Sequence, residues 1–227
     1  MTDKQQALLQ IADEIRGEAS YLNNFAHNVH AIERAHHLME LAAQVVALAS
    51  DKPIEVAREG FTDGSWQHFS PVIAVEAIVL NEQGELLLIQ RSDSRRWALP
   101  GGIAEIGPTF SEAVLRELWE EAGLRGRVKR LLGVFDGRLW QTESTWHLVY
   151  LIYQIECRDF SASPGSETVG TGFFRRDNLP DELHPGHEVR IQKCFQLLEG
   201  TEAHFDLADS FDADMPMFQR PTDDSGD

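Results

Sequence analysis

Apolar residues recur with helical spacing along the first fifty positions. Leu8, Leu9, Ile11, Ala12 and Ile15 make one stripe, and Ile32, Leu38, Met39, Leu41, Ala42, Val45 and Val46 make a second, because residues three and four apart share a helix face. Residues 17–24 interrupt the pattern and Lys52-Pro53 closes it, so 1–52 is expected to be an N-terminal helical hairpin. A hairpin this small buries little on its own and must pack on its own main domain or on a second subunit. The favoured expectation is a homodimer. Residues 53–70, rich in Gly and polar side chains, read as a linker.

From Pro71 onward the pattern turns to strands. Residues 72–80 and 86–89 flank Asn81-Glu82-Gln83-Gly84, a turn-rich hairpin connection. Further strands are expected over 127–135, over 146–155 and at Gly172-Phe173-Phe174, with a final helix over 187–199. A main domain therefore spans 71–200. Residues 201–227 are acidic, with Arg220 as their one basic residue, and are expected to be largely disordered. Phe205, Leu207, Phe211, Met215, Met217 and Phe218 interrupt that acidity, and an alternative is that the segment docks on a partner.

Between the strands lies GGIAEIGPTFSEAVLRELWEEAGL, residues 101–124. The Leu99-Pro100-Gly101-Gly102 turn lets backbone approach a ligand closely, a helix follows, and Gly123 suits its C-terminal stop. Glu117, Glu120 and Glu121 stand at i, i+3 and i+4 of that helix and share a face. Three carboxylates about 5–6 Å apart at Cβ repel one another, unless hard divalent cations bind among them.

The arrangement from Gly102 through Arg116-Glu117 to Gly123-Leu124 resembles the Nudix box, with Pro108 where the family usually carries its first glutamate. In the family that glutamate pairs with the box arginine. Glu112, four residues before Arg116, and Glu105 are alternative partners for its guanidinium. The resemblance implies an α/β fold, an α/β/α sandwich with a mixed sheet, here preceded by the helical hairpin. The helical hairpin, Leu131–Arg138 (LLGVFDGR) and SETVGTGFFRRDNLP over 166–180 are similar to the Nudix subgroup with an N-terminal domain associated with X-linked nucleoside diphosphates. That subgroup includes CDP-choline and ADP-ribose pyrophosphatases. Glu76 departs from it, since members tend to carry a basic residue in that strand.

What the resemblance implies is hydrolysis of a pyrophosphate bond in a nucleoside diphosphate linked to a small moiety X, such as ADP-ribose, CDP-choline or a nucleotide sugar. Mg²⁺, or Mn²⁺ in its place, would be held by Glu117, Glu120 and Glu121 with a backbone carbonyl of Gly101 or Gly102. Glu117 or Glu167 would serve as the base, with Arg116 supporting the site. Arg91, Arg138 and Trp140 are candidate substrate contacts, with Trp66 and Phe69 behind them. Trp140 would stack on a base or, alternatively, fill the core. The competing functional readings are a nucleoside triphosphate pyrophosphohydrolase and a non-catalytic nucleotide sensor that engages a protein partner.

Composition narrows the rest. A net charge of −17 argues against nucleic acid as a partner, which would need clustered Lys and Arg. The longest apolar run is far below the ~20 residues of a membrane span, and residues 1–17 have no signal-peptide core, so a cytoplasmic protein without membrane partners is expected. Cys157 and Cys194 suggest neither a disulfide framework nor a metal knuckle. His27, His30, His36 and His37 fall in the hairpin, and His36 and His37 face about 100° apart on a helix, which argues against zinc there.

Overall fold

The structure, a computed structural model, describes residues 2–25, 28–62, 70–105, 107–144 and 146–207. His27, Trp66, Phe69 and the apolar tail positions beyond 207 lie outside the described residues.

Two long helices, α1 (Asp3–Phe25) and α2 (Val29–Ser50), form the N-terminal hairpin. Asn28 caps α2 by accepting the Ala31 amide at 2.8 Å, which satisfies one of the donors left open at a helix start. Small residues let the helices approach: Ala12 and Ala19 of α1 meet Ala42, Ala43 and Val46 of α2. A third helix, α3 (Ile54–Thr62), occupies part of the stretch read as a linker. Ala57 joins the hairpin core and Arg58 pairs with Glu40 of α2, so α3 continues the helical unit. Gly60 and Glu59 hid this short helix in the sequence behind the polar, Gly-rich composition that follows.

The main domain is built on β1 (Val72–Val79), β2 (Leu86–Arg91), β3 (Trp97–Ala98), β4 (Gly101–Ile103), β5 (Gly126–Asp136), β6 (Leu148–Cys157), β7 (Thr168–Phe174) and β8 (His204–Phe205), with helices α4 (Phe110–Ala122) and α5 (His187–Leu198). One sheet has the order β4-β1-β6-β5-β8 and a smaller one the order β3-β2-β7. Parallel pairing of β1 with β6 and antiparallel pairing of β5 with β6 make the larger sheet mixed.

β1 is buried on both faces. Val75, Ala77 and Val79 meet Val114, Leu118 and Ala122 of α4. Ala74 and Ile78 point the other way, into a core with Leu132, Phe135, Ile152, Ile191 and Phe195, the last two from α5. The α/β/α sandwich follows from this alternation, since neighbouring strand residues point to opposite faces.

Residues 201–207, the described part of the segment expected to be disordered, are ordered instead. His204–Phe205 adds a parallel strand to β5, and Asp206 accepts hydrogen bonds from the Asp136 amide at 2.7 Å and from Trp140 Nε1 at 2.9 Å. Among the described residues, no helix is long and apolar enough to cross a membrane.

Candidate active site

The turn between β3 and β4 faces the middle and the last turn of α4, at Glu117 and Glu121, and glycine is what lets it come so close. A Cβ at Gly101 would lie 2.1 Å from the Val75 carbonyl oxygen, and one at Gly102 would lie 2.9 Å from the Glu117 carboxylate. The Gly101 amide donates to Glu121 Oε2 at 2.8 Å. Glu117 and Glu121 are thereby wedged between the helix and the turn.

α4 starts with a capping box: Thr109 Oγ1 accepts from the Glu112 amide at 3.3 Å, and the Glu112 carboxylate accepts from the Thr109 amide at 2.8 Å. That use of Glu112 corrects its expected pairing with Arg116, because its side chain turns back to the helix start. Pro108 lies just outside the cap and leaves α4 whole. Arg116 instead spans three acids, with Nη2 2.8 Å from Glu117 and 3.4 Å from Glu105, and Nη1 2.9 Å from Glu120. Its Nε has no hydrogen-bond partner among the described residues.

The three box glutamates differ in surroundings. Glu121 is buried, and burial foremost pushes its carboxyl up to about 7, with Glu117 and Glu167 adding to the rise while the Gly101 amide and Arg91 oppose it. Glu117, whose side chain is 13% exposed, is also pushed up, chiefly by burial, against the pull of Arg116 and with the push of Glu120, Glu167 and Glu105. Glu120 is 44% exposed on the outer edge. Partly buried carboxylates with so little cationic compensation favour either a proton or a bound cation.

Hard oxygen donors of this kind suit Mg²⁺, and the missing Cβ at Gly102 leaves room for the Glu117 carboxylate beside the turn. Among the described residues no three such side chains converge on a ready-made centre; the Arg116 guanidinium lies between Glu117 and Glu120.

Glu167 belongs to the same neighbourhood. It is exposed, its carbonyl accepts from the Ser92 amide at 3.0 Å, and its charge acts on both Glu117 and Glu121. Arg91, at the end of β2, pairs with Asp93 at 2.7 Å, which together with Glu121 and Glu167 holds the guanidinium protonated.

Two expected contacts sit elsewhere. Arg138 reaches Asp13 of α1 at 3.2 Å and its carbonyl accepts from Gln6 at 2.8 Å, so it docks the hairpin on the main domain. Trp140 packs edge-on to Phe135 at 4.9 Å and donates to Asp206, within the core on the α5 side of the sheet.

Glu76 is the residue whose environment the sequence least disclosed. It is buried on β1 opposite Gly101, yet Arg190 of α5 meets it with Nη2 at 2.7 Å and Nε at 3.3 Å, and the same guanidinium lies 4.0 Å from the centre of the Tyr150 ring. Its carboxylate is therefore occupied by Arg190 and faces away from α4. A lone acid in the apolar run VIAVEAIV signals a hidden partner, although nothing in the sequence says which arginine it is. His184 was also missed: burial and then Arg91 push its imidazole down, and it joins Thr142, Arg176 and Leu183 in lining a cavity of about 720 Å³ that none of the box glutamates reaches.

Comparison with known proteins agrees with this geometry. The NUDIX domain family model matches residues 70–194. The Bacillus subtilis (strain 168) protein YjhB, named as a candidate ADP-ribose pyrophosphatase, is 32% identical over 181 residues, 79% of this chain and 86% of that protein. An ADP-ribose pyrophosphatase of Methanocaldococcus jannaschii is 33% identical over 136 residues, 59% of this chain and 78% of that one. The crystal structure of a UDP-X diphosphatase matches with a TM-score of 0.54 at 24% identity, covering 88% of this chain and 97% of that one, a likeness of fold that reaches beyond the 70–194 segment. With the box glutamates gathered at the glycine turn and the family model covering the sandwich from β1 into α5, the chain belongs to the Nudix family and is a Nudix pyrophosphohydrolase.

Proposed function

We propose that this chain hydrolyses the pyrophosphate bond of a nucleoside diphosphate linked to a small moiety X, with ADP-ribose as the leading substrate, in a reaction that depends on Mg²⁺. The observation that carries the reading is the pair of partly buried, under-compensated carboxylates, Glu117 and Glu121, beside Arg91, Arg116 and Glu167. Relatives named as ADP-ribose pyrophosphatases support the substrate class. Nudix hydrolases generally use a divalent metal ion, and Glu117, Glu120 and Glu121, with a Gly101 or Gly102 carbonyl, would hold it here. When bound, such a cation neutralises the pyrophosphate oxygens and makes water more acidic.

The chain's own groups account for the remaining steps. Arg91, at the end of β2, places a cation next to the acidic face, where it holds a phosphoryl group and offsets charge that repels the incoming water. Arg116 lies between Glu117 and Glu120 and fixes both carboxylates through its two terminal nitrogens. Glu167 takes the proton as the water oxygen bonds to phosphorus and the bridging P–O bond breaks, giving a nucleoside monophosphate and phosphorylated X. Glu117 is assigned as ligand because Arg116 and the glycine turn already fix its carboxylate. The cavity beside His184, of about 720 Å³, is assigned to the nucleoside or X group. A cytoplasmic homodimer, assembled through the helical hairpin, is part of the same proposal.

The test is a phosphate-release screen with Mg²⁺, coupled to a phosphomonoesterase, over ADP-ribose, CDP-choline, nucleotide sugars and nucleoside triphosphates. ADP-ribose is expected to give the highest kcat/KM. Faster turnover of triphosphates than of every X-linked diphosphate would overturn the substrate class, and no turnover of any would favour the sensor reading.

A further inference from the structure

The loop that carries Glu167 is fastened to the C-terminal end of α4, the helix that carries the box glutamates. The last carbonyls of a helix have no partner within it, and here the loop supplies several. The Ser163 amide donates to the Ala122 carbonyl at 2.9 Å, and the Gly165 amide donates to that of Glu121 at 3.3 Å. Thr168 is buried; its hydroxyl donates to the Glu121 carbonyl at 2.8 Å and accepts from the Gly165 amide at 2.8 Å. The contact is so close that a Cβ on Gly165 would lie 1.7 Å from the Glu120 carbonyl oxygen.

A second feature turns the chain at the same place. β7 pairs with β2 as Gln90 with Gly170 and then Arg91 with Thr168, so the register slips by one residue at Val169. Such a bulge re-aims the side chains around it. Thr168 is turned into the helix end, Val169 is 39% exposed, and Glu167 stands in the open, with its charge acting on Glu117 and Glu121. Among the described residues, Glu167 is held through its backbone, by Ser92 on one side and the Thr168 clamp on the other.

We propose that Thr168 is a positioning residue for catalysis: its hydroxyl, bridging the Glu121 carbonyl and the Gly165 amide, sets the distance between the Glu167 carboxylate and the glutamate face of α4. The inference rests on Glu167 as the base. Helix and loop share these hydrogen bonds, so base and box glutamates keep one fixed geometry, and an error of about 1 Å in such a geometry costs on the order of 10²-fold in rate.

Thr168→Val keeps the shape and removes the hydroxyl, while Thr168→Ser keeps the hydroxyl. In the full chain with Mg²⁺, Thr168→Val is expected to lower kcat roughly 10- to 100-fold with KM and half-saturating Mg²⁺ little changed, and Thr168→Ser to restore it to within about twofold. Glu167→Gln should lower kcat as well, and adding Thr168→Val to it should cost nothing further, because the clamp acts through the carboxylate. Melting curves confirm that each variant is folded. Equal losses in Thr168→Val and Thr168→Ser, or additive losses in the double variant, overturn the clamp and leave the base assignment standing. A Glu167→Gln protein with wild-type kcat overturns the base assignment, and the clamp with it.

Discussion

The two faces of β1 each bury acid, and they treat it in opposite ways. On the α5 side, Glu76 meets a fully buried arginine through two nitrogens, with His187 at 3.4 Å and the Tyr150 ring beneath the guanidinium. On the α4 side, Glu121 has one backbone amide and a carboxyl pushed up to about 7, chiefly by burial, and Arg116 is spread over three other acids. Burial is common to both faces, so burial does not mark the site. Compensation separates them: a buried charge held by a matched partner is structural, whereas one left short of positive charge is poised for a ligand or a proton.

The largest expected effect tests the under-compensated face. Glu120→Gln and Glu121→Gln keep shape and remove the charge that attracts a cation, so kcat/KM is expected to fall by roughly 10²-fold or more with the fold intact. Steady-state kinetics with Mg²⁺ titration and circular dichroism measure both. Unchanged activity in both proteins would remove the metal assignment.

The compensated face should respond in stability instead. Arg190→Met strands the Glu76 carboxylate in the core, and breaking a buried pair costs about 3–5 kcal/mol. Glu76→Leu together with Arg190→Met removes both charges and should recover most of that loss in urea denaturation. If the double variant were as unstable as the single one, packing of Arg190 on Tyr150 would be the main contribution and the contrast between the faces would weaken.

How much of this was legible depends on separation along the chain. The box could be read because its partners lie within one helix and one turn, and the alternation that makes the sandwich is written in adjacent residues. Thr109-x-x-Glu112 is itself a readable capping-box pattern, yet Glu112 also stands four residues before Arg116, and the helix start claimed it. Glu76 and Arg190 are 114 positions apart, so the sequence shows the need for a partner and not its identity. Arg138 and Trp140 sit in a segment that invites a pocket reading, whereas Asp13 and Asp206, both remote in sequence, draw them into packing. Glu167 was legible by resemblance, but the Thr168 clamp depends on a register slip that only pairing reveals.

A pH experiment sharpens the comparison further. Folding raises the Glu121 carboxyl from 4.5 to about 7, so the folded state holds its proton more tightly than the unfolded chain. The associated stability is fully present below about 4.5 and is lost as pH rises to about 7, on the order of 3 kcal/mol in all. Metal-free protein should therefore melt at a lower temperature at pH 8 than at pH 5.5. Glu121→Gln should flatten that dependence, and Mg²⁺ at pH 8 should restore much of the loss by binding the folded state. A wild-type profile in the Glu121→Gln protein would place the effect on other acids.

The smallest effect is expected at Trp140, and its smallness is informative. Stacking of an indole on a nucleobase contributes about 1–3 kcal/mol, so removing it would raise KM or Kd roughly 5- to 150-fold. The ring is instead committed to Phe135, His204 and the Asp206 carboxylate, on the side of β1 where buried groups are matched. Trp140→Phe keeps an aromatic body and gives up the Nε1 hydrogen bond, leaving Asp206 with the Asp136 amide and His204. Stability should fall by about 1 kcal/mol, while the Kd of ADP-ribose, measured calorimetrically without turnover, should move less than about twofold. A Kd raised tenfold with unchanged stability would reverse that assignment and make Trp140 a substrate contact.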